Sequence, residues 1–313
     1  MNEKHILVTG ANGFIGKRLC QMLFAAGFKV RAVTRKPNVE NFQKYECVCI
    51  GDISSVTDWG EVFFNVDTVI HLAGRTHIFD RAGEDSLADF RKVNVLGTER
   101  LALAARKAGV KRFIFISSVK VNGEGIRRPY TENDTLNPQD AYGISKREAE
   151  DALYRVAKEN GLEIVILRPP LVYGPGVKAN FNKLIKIAEF GLPLPFKGID
   201  NRRSLVYLDN LIDAIATCIK HPKAAGETFM ISDGQDVSTP ELIKMISLGL
   251  GRKPVLFSLH PSVLRVLSGI AGKEKEMEKL TGTLLVDSSK IRNILGWVPL
   301  FTLEEGIKKT VRI

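Results

Sequence analysis

The sequence predicts an α/β fold, a doubly wound parallel sheet followed by a smaller C-terminal α/β domain, and three observations predict it. Short, almost wholly apolar runs at 5–9, 29–34, 47–50, 67–73, 111–117 and 162–168 alternate with helical patterns near 14–26, 85–108 and 140–160. Strands this uniformly apolar are buried on both faces, and strand–helix alternation builds a parallel sheet covered by helices. Gly27, Gly109 and Gly161 then follow the three helical patterns where a left-handed cap is expected. Finally, the first apolar run leads directly into glycines at 10, 13 and 16.

That loop reads Val8-Thr9-Gly10-Ala11-Asn12-Gly13-Phe14-Ile15-Gly16. Gly10 permits a tight turn, Gly13 lets the backbone approach a pyrophosphate, and Gly16 lets the helix pack closely on the strand. Phe14 and Ile15 open the helix, where unpaired N–H groups and the helix dipole favour phosphate. Ile15, Leu19, Leu23 and Ala26 share one face of it. A glycine triplet between a strand and a helix marks a Rossmann-type dinucleotide site. The second strand ends in Thr34-Arg35-Lys36, where NAD sites usually place an acid on the ribose 2′-hydroxyl. A hydroxyl and two cations suit a 2′-phosphate better, so NADP(H) is favoured and NAD(H) is the alternative.

The segment Ala141-Tyr142-Gly143-Ile144-Ser145-Lys146 sets a tyrosine and a lysine four residues apart, on one face of a helix. An ammonium beside a phenol favours the phenolate. A phenol with an ordinary pKa of about 10 then becomes usable as a general acid or base near neutral pH. The pair follows an apolar strand, Phe113 to Ile116, that ends in Ser117-Ser118.

Beyond Arg168 the chain changes character. Pro169, Pro170, Gly174, Pro175 and Gly176 crowd one stretch and mark a domain crossing. Leu205 to Lys220 reads as one more strand and helix returning to the first domain. Residues 1–170 plus 204–235 are therefore assigned to dinucleotide binding and 171–203 plus 236–313 to a second domain. Val255 to Gly272 reads as an amphipathic helix, because His260, Pro261 and Arg265 interrupt the apolar run that a membrane span needs. The four cysteines, Cys20, Cys47, Cys49 and Cys218, read as small core residues in a reducing compartment. The five histidines lack metal-ligand spacing, so no metal is expected, and His71 reads as a core histidine. The formal charge of +10 favours an anionic partner. Its basic residues are scattered and no aromatic groove accompanies them, which argues against nucleic acid. The chain starts without an apolar signal segment and is expected to be cytoplasmic.

Further segments extend the pattern: Gly51-Asp52-Ile53, His71-Leu72-Ala73-Gly74, Asn94-Val95-Leu96-Gly97-Thr98, Leu167-Arg168-Pro169, Val172-Tyr173-Gly174-Pro175 and Leu295-Gly296-Trp297-Val298-Pro299. With the glycine loop, Ser117-Ser118, Tyr142 and Lys146, they make the chain resemble the extended short-chain dehydrogenases/reductases, in the group of nucleotide-sugar epimerases, dehydratases and reductases. The resemblance implies that Ser118 holds the reacting oxygen, Tyr142 shuttles its proton, and Lys146 binds the nicotinamide ribose. It implies that Asp52 and Ile53 contact the adenine and that Leu72, Ala73, Gly74, Asn94 and Pro169 line the cofactor. Lys120, Asn180 and Arg203 join Ser118 as expected contacts of a UDP-sugar substrate. Sugar dehydratases of the group carry an Asp-Glu pair just after the serine or threonine. Here those positions are Val119 and Lys120, so dehydration is not expected. Ser117 to Gly123 is similar to a subgroup of UDP-sugar 4-epimerases and 4-keto reductases linked to surface-polysaccharide synthesis. Thr34-Arg35-Lys36 favours a reductase of a UDP-4-keto-6-deoxy-N-acetylhexosamine. A 4-epimerase with tightly held NAD is the second reading, and a non-catalytic dinucleotide sensor, which would not need Ser118, Tyr142 and Lys146, a third. A homodimer through the helices near 85–108 and 140–160 is also implied.

Overall fold

The computed structural model describes residues 4–37, 44–76, 87–125, 128–191, 193–259, 262–263, 269, 272 and 274–312. Seven strands form one parallel sheet: β1 (His5–Thr9), β2 (Lys29–Thr34), β3 (Glu46–Cys49), β4 (Thr68–His71), β5 (Arg112–Ile116), β6 (Glu163–Arg168) and β9 (Thr228–Met230). Their order is β3-β2-β1-β4-β5-β6-β9. The chain moves outward in one direction from β1 to β3 and in the other from β4 to β9. A crevice therefore opens at the carboxyl ends of β1 and β4, where doubly wound sheets bind ligands.

Side chains alternate along each strand, so one sheet feeds two cores. On one face Ile6, Val8, Ala32, Ile70, Ile114 and Val165 pack with Leu19 and Leu23 of helix α1 (Phe14–Ala25) and with Leu211 and Ile215 of α6 (Leu208–Lys220). On the other, Leu7, Val33, Val69, Phe113, Phe115 and Ile164 pack with Leu101 of α3 (Gly97–Lys107) and Leu153 of α4 (Ala141–Asn160). Gly27, Gly109 and Gly161 all have positive φ, as their cap positions require.

Charged groups set how the helices lie. The Arg112 guanidinium, on β5 and buried, donates to the carbonyls of Cys218 (2.6 Å), Ile219 (3.2 Å) and His221 (2.9 Å) at the end of α6. A cation there satisfies orphan carbonyls and opposes the helix dipole. From the far end of the chain, Trp297 donates through Nε1 to Asp213 of α6 at 2.9 Å. This fastens the Gly296-Trp297 segment to the same helix.

β7 (Leu171–Tyr173) and β8 (Leu205–Tyr207) pair in parallel as a separate two-stranded sheet. The strand expected at 205 thus sits beside β7, while the helix after it lies against α1 and the large sheet. A third core surrounds the small sheet, joining Tyr173, Leu205 and Tyr207 to Phe181 and Leu184 of α5 (Ala179–Phe190), to Leu242 and Ile246 of α7 (Thr239–Gly249), and to Ile307.

Two expectations are corrected. Cys20 and Cys218 are buried, but Cys47 and Cys49 are exposed: β3 is the edge strand, and little covers it. Residues 255–259 are not helical. They run beside 194–196 through isolated bridges, Leu194 with Leu256 and Phe196 with Ser258. Much of the rest of Val255–Gly272 lies outside the described residues.

Candidate functional site

The loop after β1 behaves as its glycines require. Gly10 has φ +67, and a Cβ on it would stand 2.8 Å from the Ala73 nitrogen. The ends of β1 and β4 therefore touch backbone to backbone. A Cβ on Gly16 would stand 2.2 Å from the Gly10 carbonyl oxygen, which is the close approach of helix to strand. α1 begins at Phe14 and Ile15 with no side-chain cap on Gly13 and no acid in its first turn. The helix Leu303–Val311, by contrast, has a full capping box from Thr302 and Glu305. An uncapped, acid-free helix start behind a glycine turn fits the pyrophosphate of a dinucleotide. Beside it a cleft of about 580 Å³ separates Asn12, Gly13 and Phe14 from Pro175, Gly176 and Lys178.

At the end of β2 the Thr34 hydroxyl donates to the Lys36 carbonyl at 2.9 Å, closing the turn. Arg35 lies 3.6 Å from the Asp52 carboxylate, both well exposed. Ile53 packs on Gly97 at the start of α3, where a Cβ would come within 2.6 Å of the isoleucine methyl. The absence of a side chain at Gly97 thus sets the height of the Asp52-Ile53 loop.

The end of β4 is held from beneath. His71 lies buried between Thr9 Oγ1 (2.6 Å from Nδ1) and Thr98 Oγ1 (2.9 Å from Nε2), stacked on Phe115. Burial, with Lys146 adding to it, holds the imidazole down at about 3, so it stays neutral. The Thr9 hydroxyl also accepts from the Ala73 nitrogen at 3.2 Å, which sets the course of Leu72, Ala73 and Gly74. Asn94 takes over at the next residue. Its Oδ1 accepts from the Arg75 nitrogen (2.7 Å), and its Nδ2 donates to the Arg75 carbonyl (3.0 Å) and to Ser145 Oγ (2.9 Å). Asn94 lies in a π-helical stretch, Arg91–Leu96, inside an otherwise α-helical run. Such wide turns re-aim side chains and recur at functional sites.

Ser117-Ser118 follows directly on β5, and Ser118 caps a 3-10 turn, Val119–Val121. The Val119 nitrogen donates to the Pro169 carbonyl at 3.0 Å, which brings the end of β6 to the same place. α4 is started by Asp140, whose Oδ1 accepts from the Gly143 nitrogen at 2.7 Å. Tyr142 and Lys146 follow on its first two turns. The structure sets the Ser118 side chain beside the Tyr142 phenol. The Lys146 ammonium donates to the Ile116 carbonyl at 2.7 Å and lies 4.2 Å from the centre of the Phe115 ring. A Cβ on Gly74 would stand 3.7 Å from Lys146 Nζ, so the lysine and the end of β4 share one space.

The expected lowering of the phenol pKa is not what this geometry produces. Burial first, and the Asp140 carboxylate second, push Tyr142 up to about 12, while the hydrogen bond with Ser118 pulls it down. Burial pushes Lys146 down to about 7, with the Glu150 carboxylate opposing. Desolvation outweighs pairing at both groups.

Lys120, expected at the substrate, is engaged with Glu124 and with Asp140, the latter at 3.1 Å. Asn180 is the second residue of α5. Arg203 donates to the Gly282 carbonyl at 3.1 Å and bridges by backbone to Val237 and Leu284. Sequence reading did not single out Ser145 or Asp140. Ser145 had no signal of its own. Asp140 did, since an aspartate just before a helix is a standard cap. Among the described residues no group of three or more His, Cys, Asp or Glu could hold a metal, and no helix is long and apolar enough to cross a membrane.

Comparison with known proteins agrees with this fold. The family model described as "NAD dependent epimerase/dehydratase family" matches residues 6–232. A UDP-glucose 4-epimerase of Vibrio cholerae is 43% identical, over 99% of this chain and 95% of that protein. An N-acetyl-alpha-D-glucosaminyl-diphospho-ditrans,octacis-undecaprenol 4-epimerase of Escherichia coli O157:H7 is 28% identical, over 100% of this chain and 95% of that one. Among solved structures, the UDP-glucuronic acid 4-epimerase of Bacillus cereus in complex with UDP-glucuronic acid and NAD has a TM-score of 0.79 at 25% identity, covering 98% of each chain. The UDP-glucose 4-epimerase of Thermotoga maritima with UDP-glucose has 0.77 at 27%, covering 98% of this chain and 97% of that one. The fold has its counterpart in these solved structures, and with the family model matching residues 6–232 and a relative 43% identical over nearly its whole length, this chain belongs to the NAD dependent epimerase/dehydratase family.

Proposed function

We propose that the chain is a UDP-sugar 4-epimerase that keeps NAD bound through its catalytic cycle. The observation that carries this reading is Ser118 set beside Tyr142, with Lys146 one turn along, in a chain 43% identical to a UDP-glucose 4-epimerase. Held at the glycine loop, NAD would supply reversible hydride transfer at C4 of the sugar. Ser118 would hold the 4-hydroxyl, and Tyr142 would take its proton and return it to the same oxygen after the 4-keto sugar has turned its other face toward the nicotinamide. Lys146 would hold the nicotinamide ribose and, as an ammonium, stabilise the phenolate. Val119 and Lys120 supply no acid for elimination, so the carbon skeleton keeps its oxygens. Gly10, Gly13 and Gly16 would cradle the phosphates. Asp52 and Ile53 would meet the adenine, and Leu72, Ala73, Gly74, Asn94 and Pro169 would line the nicotinamide half.

This reading departs from the reductase favoured by Thr34-Arg35-Lys36. The Thr34 hydroxyl is spent on the Lys36 carbonyl, and Arg35 faces the Asp52 carboxylate, which would repel a 2′-phosphate. Both facts favour NAD over NADP. We further propose that residues 171–203 plus 236–313, Asn180 and Arg203 among them, hold the UDP-sugar. The chain would act in the cytoplasm as a homodimer through the helices near 85–108 and 140–160.

Purified protein, given UDP-glucose or UDP-N-acetylglucosamine without added dinucleotide, is expected to form the C4 epimer, and denaturation to release NAD. Turnover that requires NADPH and a UDP-4-keto-sugar would restore the reductase. A second expectation concerns protons. The Lys146 amine is pushed down to about 7 by burial, and ribose hydroxyls accepting from it favour its charged form. At about pH 8, NAD binding should therefore take up as much as roughly one proton. Calorimetry in buffers of different ionisation enthalpy measures this. The same uptake in a Lys146→Met variant would assign the proton elsewhere.

A further inference from the structure

Glu150 lies one turn beyond Lys146 and two beyond Tyr142 on α4. Its carboxylate faces the Arg168 guanidinium, which donates through Nε at 3.0 Å and Nη2 at 2.5 Å. The two side chains are 1% and 4% exposed. The remaining arm of the fork, Nη1, donates to Asn122 Oδ1 at 3.3 Å, and Asn122 Nδ2 donates to the Thr131 carbonyl at 3.2 Å. A pair of charges this deeply buried is a poor way to gain stability, because matched apolar side chains of similar volume often serve a core as well or better. Its location suggests another use. Glu150 belongs to the helix of Tyr142 and Lys146, Asn122 follows the turn capped by Ser118, and Arg168 immediately precedes Pro169.

We propose that the buried Glu150–Arg168 pair, with Asn122, is a positioning device for the reaction, locking together the three segments that carry Ser118, Tyr142 with Lys146, and Pro169. The planar guanidinium suits the task, since one rigid group bonds two segments at fixed angles. Glu150 also supplies the negative charge nearest Lys146 along the helix and opposes the loss of its proton. Among the described residues, the other titratable groups near Lys146 are Tyr142 on its own helix and the neutral His71 from β4. β5 presents the Ile116 carbonyl and the Phe115 ring, and Arg168 of β6 reaches the lysine through Glu150. These residues touch neither sugar nor reacting atoms in the proposed reaction, so their effect passes through Tyr142, Lys146 and Ser118.

The inference rests on the proposed C4 chemistry, and the test separates the two. Glu150→Gln or Arg168→Met alone strands a buried charge and can unfold the chain. The informative variant is the pair Glu150→Leu with Arg168→Met in the full chain. It should fold with a melting temperature at or near that of the wild type and bind NAD within about threefold of it, yet lose about 10²-fold in kcat, as sub-ångström misplacement does. The alkaline limb of its kcat–pH profile should move to lower pH by about one unit, because Lys146 loses its supporting charge. Glu150→Asp, which keeps the charge, should hold that limb in place. If the wild type leaves UDP-glucose unchanged, the epimerase reading fails by itself. Phenolate absorbance of the NAD-loaded proteins, with Tyr142→Phe as the blank, then carries the test: Tyr142 should ionise about one unit higher in the paired variant. A folded paired variant with kcat within twofold of wild type, or an unmoved phenolate titration, overturns the proposal.

Discussion

Replacing Tyr142 with phenylalanine is expected to lower kcat by about 10³-fold while leaving NAD affinity and melting temperature essentially unchanged. The ring stays against Phe90, 6.3 Å between centres in an edge-to-face contact, so packing survives. What is lost is the hydroxyl that would exchange a proton with the sugar 4-hydroxyl. The sign of the pH dependence follows from the groups around it. Burial and Asp140 hold the phenol protonated up to about 12 in the unliganded protein, and the oxidising step needs the phenolate. The rate should therefore climb as pH rises toward the phenol's ionisation and fall away on the acid side. Whatever turnover remains in the phenylalanine variant should lack that rising limb. A variant retaining more than a tenth of the wild-type kcat would remove Tyr142 from the chemistry.

Gly16→Ala is the substitution expected to damage cofactor binding most. The added Cβ would meet the Gly10 carbonyl oxygen at 2.2 Å, the Ala11 Cα at 2.8 Å and the Gly10 carbonyl carbon at 2.9 Å. All three atoms are backbone, so nothing flexible can move aside. Alanine improves helix propensity by about 1 kcal/mol, but overpacking a rigid junction costs up to about 3 kcal/mol, and the clash wins. α1 must lift from β1, carrying its first-turn N–H groups away from the proposed pyrophosphate site. The expected result is a lower melting temperature with NAD affinity weakened by about 10²-fold, the loss of one or two charge-assisted hydrogen bonds to phosphate. Gln21→Ala, exposed on the same helix, should change neither. Equal melting temperatures and equal Kd for Gly16→Ala and wild type would show that the junction has slack and that the phosphate loop lies elsewhere.

Much of the site was legible before any coordinates. The glycine spacing, the apolar strand before it and the Tyr142–Lys146 interval depend on local geometry, and each lies where the sequence indicates. Other features were hidden because they depend on partners far along the chain. The π-helical stretch at Arg91–Leu96 surrounds Asn94, whose bonds run to Arg75 and Ser145, nineteen and fifty-one residues away. Cys47 and Cys49 alternate as core residues do, and only the strand order, with β3 at an edge, exposes them. The proline-interrupted run from Val255 begins extended because 194–196 lies alongside to pair with it.

The primary sequence alone determined the α/β sheet, the glycine turn after β1 and the placing of Tyr142 and Lys146 on one helix, because strand and helix periodicity and the steric freedom of glycine are properties of neighbouring residues. Tertiary structure decided the charge states and the pairings: a phenol raised rather than lowered, a lysine brought near neutrality, Lys120 engaged by Glu124 and Asp140, and Glu150 joined to Arg168. Desolvation and long-range ion pairing depend on what the folded chain places around a group, and no spacing between neighbours encodes that.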